Sequence, residues 1–205
     1  MTRFEPVVLV GTHVRLEPIA PAHIPGLVAA AAEDRSNYQW TPVPEGTDEI
    51  TAWVERAEHE RATGRSLTFT TMRATDGGRI AGSTSFLDPQ YWGRSGRTNG
   101  FDSIEIGATW LAASAQRTPI NTEAKLLMLD YAFEVWNVHR VVLNTDERNE
   151  RSRAAIARIG ATFEGILHGF RMGVEGTPRN TATFAIPARD WPDVRVRLRN
   201  RLEPA

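Results

Sequence analysis

Apolar residues recur along this chain in two patterns, one typical of helices and the other typical of strands. A spacing of three or four residues predicts helices at residues 21–32, 47–63, 123–136, 149–159 and 188–202. Alternating or β-branched runs predict strands at residues 7–16 (two short segments around Gly11), 66–73, 79–87, 103–111, 139–145, 163–172 and 181–186. Thr47 is the expected N-cap of the second helix. The order predicts an α/β (mixed α+β) protein with helices on both faces of a central mixed sheet.

The nine residues from Ser114 to Thr122 join a predicted strand to a predicted helix that begins at Glu123. A short polar turn here leaves backbone N–H groups free at the start of a helix, where the helix dipole adds positive potential. The turn also carries the cation of Arg117 and the hydroxyl groups of Thr118 and Thr122. It is therefore a candidate anion site, and an ordinary capped turn is the alternative.

Composition restricts the classes of function that the chain can have. Its 205 residues, of which 41% are hydrophobic and 24% charged, are most economically one domain over residues 1–205. A net charge of −1 gives no electrostatic reason to expect nucleic acid or a membrane surface as a partner. The absence of cysteine excludes disulfides, thiolate metal sites and a cysteine nucleophile.

Two further expectations rest on what the sequence lacks. The five histidines show no metal-ligand spacing, so we expect no metal. We find neither a secretory signal pattern nor an apolar run of the ~20 residues needed to span a bilayer, so we expect a cytoplasmic location.

Four stretches in a fixed order carry a resemblance to a known family. They are residues 9–18, 105–111, 116–125 and 144–161, and the likeness covers roughly residues 7–186. In this order they resemble the GNAT superfamily of N-acetyltransferases, in particular the branch that contains the ribosomal-protein N-terminal (alanine) acetyltransferases. The resemblance implies a GNAT-like three-layer fold with a splayed central sheet.

The resemblance also implies acetyl-coenzyme A, or another acyl-coenzyme A, as co-substrate. In the family, the pantetheine arm lies between the central strand and the next parallel strand, here beside Trp110 and Leu111, and Asn149 would bind the same arm or merely cap its helix. The diphosphate would lie on the loop that contains Gln116, Arg117, Thr118, Pro119, Ile120, Asn121 and Thr122. Pro119 and Asn121 replace glycines of the family pattern, and Pro119 has no N–H to donate. Glu123 is expected to face away from the phosphate.

Acyl transfer to an amine needs a base, a donor for the oxyanion and a group that stabilises the leaving thiolate. Glu105 is the candidate base, because strand alternation places it on one face with Ser103, Gly107 and Thr109 and away from Ile104, Ile106, Ala108 and Trp110. The alternative is a structural glutamate paired with Arg15 or Arg171, and Asp102 is a poorer candidate base. The oxyanion donor is expected to be a strand N–H near Leu111.

The family's usual tyrosine at the leaving thiol corresponds here to Ile156, so that role cannot be transferred. In the ribosomal branch, a serine one turn before that tyrosine position stabilises the leaving thiolate. It corresponds to Ser152 here. Because no cysteine is available, we expect direct attack in a ternary complex.

The acceptor is predicted to be a primary amine, either a small molecule or a protein N-terminus. Tyr38 and Trp40 lie where relatives overhang the acceptor entrance, although buried packing is an equal alternative. Residues 88–101 are a second candidate wall, with Tyr91, Trp92, Arg94 and Arg97.

A homodimer is implied by the resemblance alone. The rival interpretation is a non-catalytic module that senses acyl-coenzyme A. A nucleotide P-loop is disfavoured because the turn lacks a Gly-Lys-Ser/Thr ending.

Overall fold

The computed structural model of the chain describes residues 4–93 and 100–203. Within these residues the strands are β1 Leu9–Val10, β2 Val14–Pro18, β3 Ser66–Arg73, β4 Ile80–Gln90, β5 Ser103–Leu111, β6 Arg140–Asp146, β7 Thr162–Met172 and β8 Pro178–Pro187. The α-helices are α1 Ile24–Ala32, α2 Gly46–Ala62, α3 Pro119–Asp130, α4 Glu150–Ile159 and α5 Trp191–Asn200. Among the described residues, no helix has the length and apolar character needed to span a bilayer.

The eight strands form one mixed sheet, which confirms the predicted fold class. Their order is β1-β2-β3-β4-β5-β6-β8-β7, and only the β5–β6 pair is parallel among the described strands. Helix α2 packs on one face, where Trp53 contacts Trp110 of β5. Helices α3 and α5 lie on the other face, and Trp191 Nε1 of α5 donates a hydrogen bond of 2.8 Å to Glu134 in the turn that follows α3.

The predicted starts of α2 and α3 are wrong. Helix α2 begins at Gly46, so Thr47 lies inside the helix and Glu45 occupies the N-cap position without a side-chain cap bond. Helix α3 begins at Pro119 instead of Glu123, with Thr118 as its N-cap. Proline fits the first helical position because the N–H that it lacks has no partner within the helix there. The run then continues as a π-helical turn, Tyr131–Val135.

Strands β5 and β6 separate after a short paired region, as predicted. Their pairing consists of Ser103 with Arg140, Ile104 with Val141 and Glu105 with Val142. No pairing joins the two strands beyond Glu105, although β5 continues to Leu111 and β6 to Asp146. The backbone groups on this edge of β5 therefore face an opening and not a neighbouring strand.

A β-bulge in β5 changes which side chains share a face. Ser83 of β4 pairs with Trp110 while Ser85 pairs with Gly107, so two residues of β5 oppose Thr84 alone. One of them, Ala108, has a left-handed φ of 47°. Simple alternation beyond Gly107 is consequently wrong: Trp110 lies on the same face as Glu105, and Thr109 lies on the face of α3.

Glu123 ties α3 to the N-terminal turn. Its buried carboxylate accepts hydrogen bonds from the backbone N–H groups of Thr12, His13 and Val14 at 2.9, 2.6 and 2.8 Å. A Cβ at Gly11 would lie 2.4 Å from this carboxyl group, so glycine there permits the close approach. The side chain thus faces away from the 114–122 turn, as expected.

Replacing Glu123 with glutamine is expected to lower the free energy of unfolding by about 2–3 kcal/mol. The amide nitrogen of glutamine cannot accept a hydrogen bond, so at least one N–H of the turn loses its partner in a buried setting. For a domain of this size the melting temperature should fall by about 5–10 °C. Glu150→Gln, an exposed glutamate of α4, is the matched control and should change stability by less than about 0.5 kcal/mol. Equal stability of the two variants in urea titrations would contradict the assigned role.

Candidate functional site

The loop before α3 stands at the open end of the β5–β6 separation. The Thr118 hydroxyl donates to Ala115 O at 2.7 Å and accepts from Ile120 N at 3.4 Å, so it closes the first turn of the helix. Arg117 is exposed and has a left-handed φ of 59°. The carboxamide oxygen of Asn121 is buried without a partner among the described residues. An anion on this loop would meet the N–H groups near Arg117 and Asn121 and the guanidinium of Arg117.

Side chains from three segments meet at the end of β5. The carbonyl of Leu111 accepts hydrogen bonds from Tyr38 Oη at 3.2 Å and from Gln116 Nε2 at 3.0 Å. Gln116 Oε1 in turn accepts from Arg151 Nη2 at 2.5 Å, and Arg151 Nη1 donates to Asn37 Oδ1 at 3.0 Å. This chain of contacts joins the α3 loop to the first turn of α4 across the opening. Sequence reasoning included Arg151 in a matching stretch but gave it no role.

Asn149 and Ser152 lie at the start of α4, on the other side of the opening. Asn149 Oδ1 accepts a hydrogen bond from Ser152 N at 3.0 Å. Asn149 is therefore the N-cap of α4, which is one of the two roles that the sequence predicts for it, beside binding of the pantetheine arm. Because β5 and β6 run parallel, their carboxyl ends meet at one edge of the sheet, and the α3 loop and the α4 start therefore lie together. The sequence-predicted coenzyme residues are thus gathered around one opening.

Glu105 is buried at the point where β5 and β6 stop pairing. Its carboxylate accepts from Asn144 Nδ2 at 2.7 Å and from Arg171 Nη1 and Nη2 at 3.3 and 2.7 Å. Arg15 forms an ion pair with Glu17 instead. Of the two candidate arginines, Arg171 is therefore the one that pairs with Glu105. A Cβ at position 107 would come within 2.7 Å of Glu105 Oε1, so Gly107 makes room for the carboxylate.

Burial raises the pKa of Glu105 above its ordinary value, because desolvation disfavours the charged carboxylate. The nearby Arg171 cation and the Asn144 hydrogen bond act in the opposite direction and only partly offset the burial. Arg171 also forms an ion pair with Asp88 at the end of β4. The β7–β8 hairpin folds back toward β5, and the single positive charge of its Arg171 is shared by the carboxylates of Glu105 and Asp88.

The two residues predicted to contact the acceptor differ in environment. Tyr38 is buried and packs edge-on against Trp110, with ring centroids 6.0 Å apart, so packing accounts for much of its contact area. Trp40 is half-buried and its ring lies under the guanidinium of Arg148 at 4.0 Å. Beside them is a cleft of about 510 Å³, which is lined by Arg35, Ser36, Tyr38, Gln39, Thr41, Pro42, Val43 and Val174.

The second predicted wall, residues 88–101, is divided between two places. Asp88 lies beside Arg171 and Glu105, whereas Trp92 lies away from this cleft. The Trp92 ring stacks on His139 at a centroid distance of 5.6 Å, near the paired start of β5 and β6. That end of the sheet is opposite to the α3 loop. Arg94 and Arg97 lie outside the described residues. No group of three or more His, Asp or Glu side chains within residues 4–93 and 100–203 is arranged to hold a metal ion.

A buried lysine that sequence reasoning missed lies under the bulge of β5. Lys125 of α3 donates to Thr84 Oγ1 at 2.8 Å and to Thr109 Oγ1 at 2.7 Å. Burial lowers its pKa to about 7. The available signal was a single cation among the apolar residues at 124 and 126–129.

Comparison with known proteins adds a family match and a set of similar folds. The family model of the acetyltransferase (GNAT) domain matches residues 13–162. A GCN5-related N-acetyltransferase from Brucella melitensis superposes with a TM-score of 0.84 at 26% identity, over 98% of this chain and 88% of that chain. A structure from T. thermophilus, assigned to the acetyltransferases, gives a TM-score of 0.81 at 31% identity, over 97% and 98% of the two chains.

RimJ from Mycobacterium smegmatis, solved in complex with CoA-disulfide, gives a TM-score of 0.79 at 24% identity, over 98% and 97% of the two chains. At that identity the likeness concerns the fold alone. None of the curated proteins matches the chain.

Proposed function

We propose that this chain, which belongs to the GNAT acetyltransferase family, transfers an acetyl or other acyl group from coenzyme A to a primary amine. The acceptor is a small-molecule amine or a protein N-terminus, and the amine attacks the thioester directly in a ternary complex. The observation that carries the proposal is the opening between β5 and β6, where Glu105 lies at the point of separation and the α3 loop lies at the open end.

The residues around the opening fit an acyl-coenzyme A. The unpaired edge of β5 offers N–H and C=O groups to a peptide-like arm, and the exposed Arg117 offers a cation to a diphosphate. The Leu111 carbonyl already accepts two side-chain hydrogen bonds, so a pantetheine amide there would replace the carboxamide of Gln116. RimJ, which has the same fold, was solved with CoA-disulfide, and this supports the choice of co-substrate.

Three groups of the chain would carry the chemistry. When bound, coenzyme A supplies the acyl thioester. Glu105 would accept the amine proton, directly or through water, because burial keeps its carboxylate basic. A β5 N–H near Leu111 would donate to the negative charge that develops on the thioester oxygen. The Ser152 hydroxyl would donate to the leaving sulfur without itself ionising.

Titration calorimetry with acetyl-coenzyme A is expected to give saturable binding, and a thiol-release assay is expected to show turnover that depends on added amine. The assay would use a panel of small primary amines and N-terminal peptides, with hydrolysis in the absence of amine as the blank. Binding without turnover would favour the acyl-coenzyme A sensing module. Absence of binding at millimolar ligand would overturn both functions. The homodimer and the cytoplasmic location stay predictions.

A further inference from the structure

Lys125 closes a triangle of hydrogen bonds that joins α3 to two strands. Its ammonium lies 2.8 Å from Thr84 Oγ1 and 2.7 Å from Thr109 Oγ1, and the two hydroxyl groups are 2.8 Å apart. The lysine is only 4% exposed. One side chain therefore connects β4 and β5 from the α3 face of the sheet.

The triangle coincides with the bulge of β5. Thr84 is the residue of β4 that faces both Ala108 and Thr109. The Thr109 hydroxyl also lies 3.3 Å from Gly107 O, so the contacts reach both sides of Ala108. A left-handed conformation costs a residue such as alanine roughly 1–2 kcal/mol. Surrounding contacts must hold it in place.

Packing alone does not account for a lysine at this position. Among the described residues, no carboxylate forms an ion pair with Lys125. Burying an ammonium without a counter-ion is costly, and an apolar side chain of similar volume usually fills such a site at lower free energy. The lowered pKa of Lys125 reflects this cost. The lysine is explained if the geometry of the bulge matters more than stability.

We propose that Lys125 is a positioning residue, which holds the bulged segment 107–110 so that the unpaired backbone groups of β5 point into the β5–β6 opening. The inference rests on the proposed function, because those backbone groups matter only if they receive the acyl donor. Lys125 lies under the β4–β5 pair, on the far side of β5 from the opening, so it acts through the strand and does not touch the donor.

The expected kinetic signature follows from this indirect role. A donor that is aligned with the developing oxyanion lowers the barrier of the chemical step, whereas the rest of the coenzyme is held by the α3 loop. Loosening the bulge should therefore lower kcat by about 10-fold and change the Kd of acetyl-coenzyme A by less than about 3-fold.

Four variants test the proposal in the full chain. Lys125→Met and Thr109→Val each remove one corner of the triangle, and Thr109→Ser keeps the hydroxyl. Thr71→Val is the matched control, since the buried Thr71 hydroxyl lies on β3 and has no partner among the described residues. We expect the 10-fold loss of kcat in Lys125→Met and Thr109→Val, recovery in Thr109→Ser and no loss in Thr71→Val.

Amide hydrogen exchange gives a second readout that does not depend on activity. Exchange at residues 107–111 should be at least about 10-fold faster in Thr109→Val than in Thr71→Val, because the bulge opens more often. If Lys125→Met does not fold, Thr109→Val carries the test. Wild-type kcat together with unchanged exchange in Thr109→Val would overturn the role of Lys125. Absence of transfer by the wild type would instead overturn the proposed function.

Discussion

Glu105→Gln is expected to lower kcat/KM for the amine by about 100-fold or more, because glutamine keeps the shape of the side chain but cannot accept the proton. The acceptor site is otherwise preserved, since the glutamine oxygen can still accept from Asn144 or Arg171. Binding of acetyl-coenzyme A should change little, so the loss should appear in turnover and not in donor affinity. Initial rates and calorimetry on the same preparation measure both quantities.

The pH profile gives a sharper test of the same residue. The base works as the carboxylate, so kcat/KM should fall as the pH is lowered through the pKa of Glu105, which burial raises above its ordinary value. The Arg171 cation acts to lower that pKa, so Arg171→Gln should move the acidic limb to higher pH. Retention of activity within about 3-fold in Glu105→Gln, or an acidic limb that stays in place in Arg171→Gln, would leave Glu105 as a structural ion-pair member.

The sequence predicted the architecture well because hydrophobic periodicity reports directly on which face of an element is buried. The separation of β5 from β6 was also anticipated, but through the family resemblance and not through any pattern in residues 104–111. The start of α3 was misplaced because Pro119 was interpreted as part of a turn. A proline within a turn and a proline at the first position of a helix give the same local sequence. In the structure, the N-cap bond of Thr118 shows that Pro119 occupies the first helical position.

The side-chain partners at the site could not be predicted. Alternation along β5 failed at Ala108. The isolated glycine at position 107 is compatible with a bulge, but it does not show which residue is extra, because the distortion depends on pairing with Thr84. Arg15 and Arg171 were equally available to Glu105 in the sequence. The choice is made by the β7–β8 hairpin, whose fold-back is a tertiary effect. The burial of Lys125 could not be predicted, because a cation within a helix is ordinarily assigned to an exposed face.

The free energy of unfolding is expected to increase with pH above neutrality because of Lys125. Burial alone lowers its pKa in the folded protein from about 10.5 to about 7. Between these values the unfolded chain binds a proton that the folded protein does not, so raising the pH favours the folded state. The gain should be about 2 kcal/mol between about pH 7 and about pH 9, and below pH 7 the full penalty of burying the ammonium remains.

Urea titrations of the wild type and Lys125→Met over this pH range isolate the contribution of the lysine. Other titrating groups contribute equally to both proteins, so the difference in unfolding free energy between them should change by about 2 kcal/mol, with the wild type gaining as the pH rises. A difference that is constant with pH would mean that Lys125 keeps an ordinary pKa in the folded protein. The ammonium would then be solvated or paired, and the argument that its burial is costly would fail together with the inference built on it.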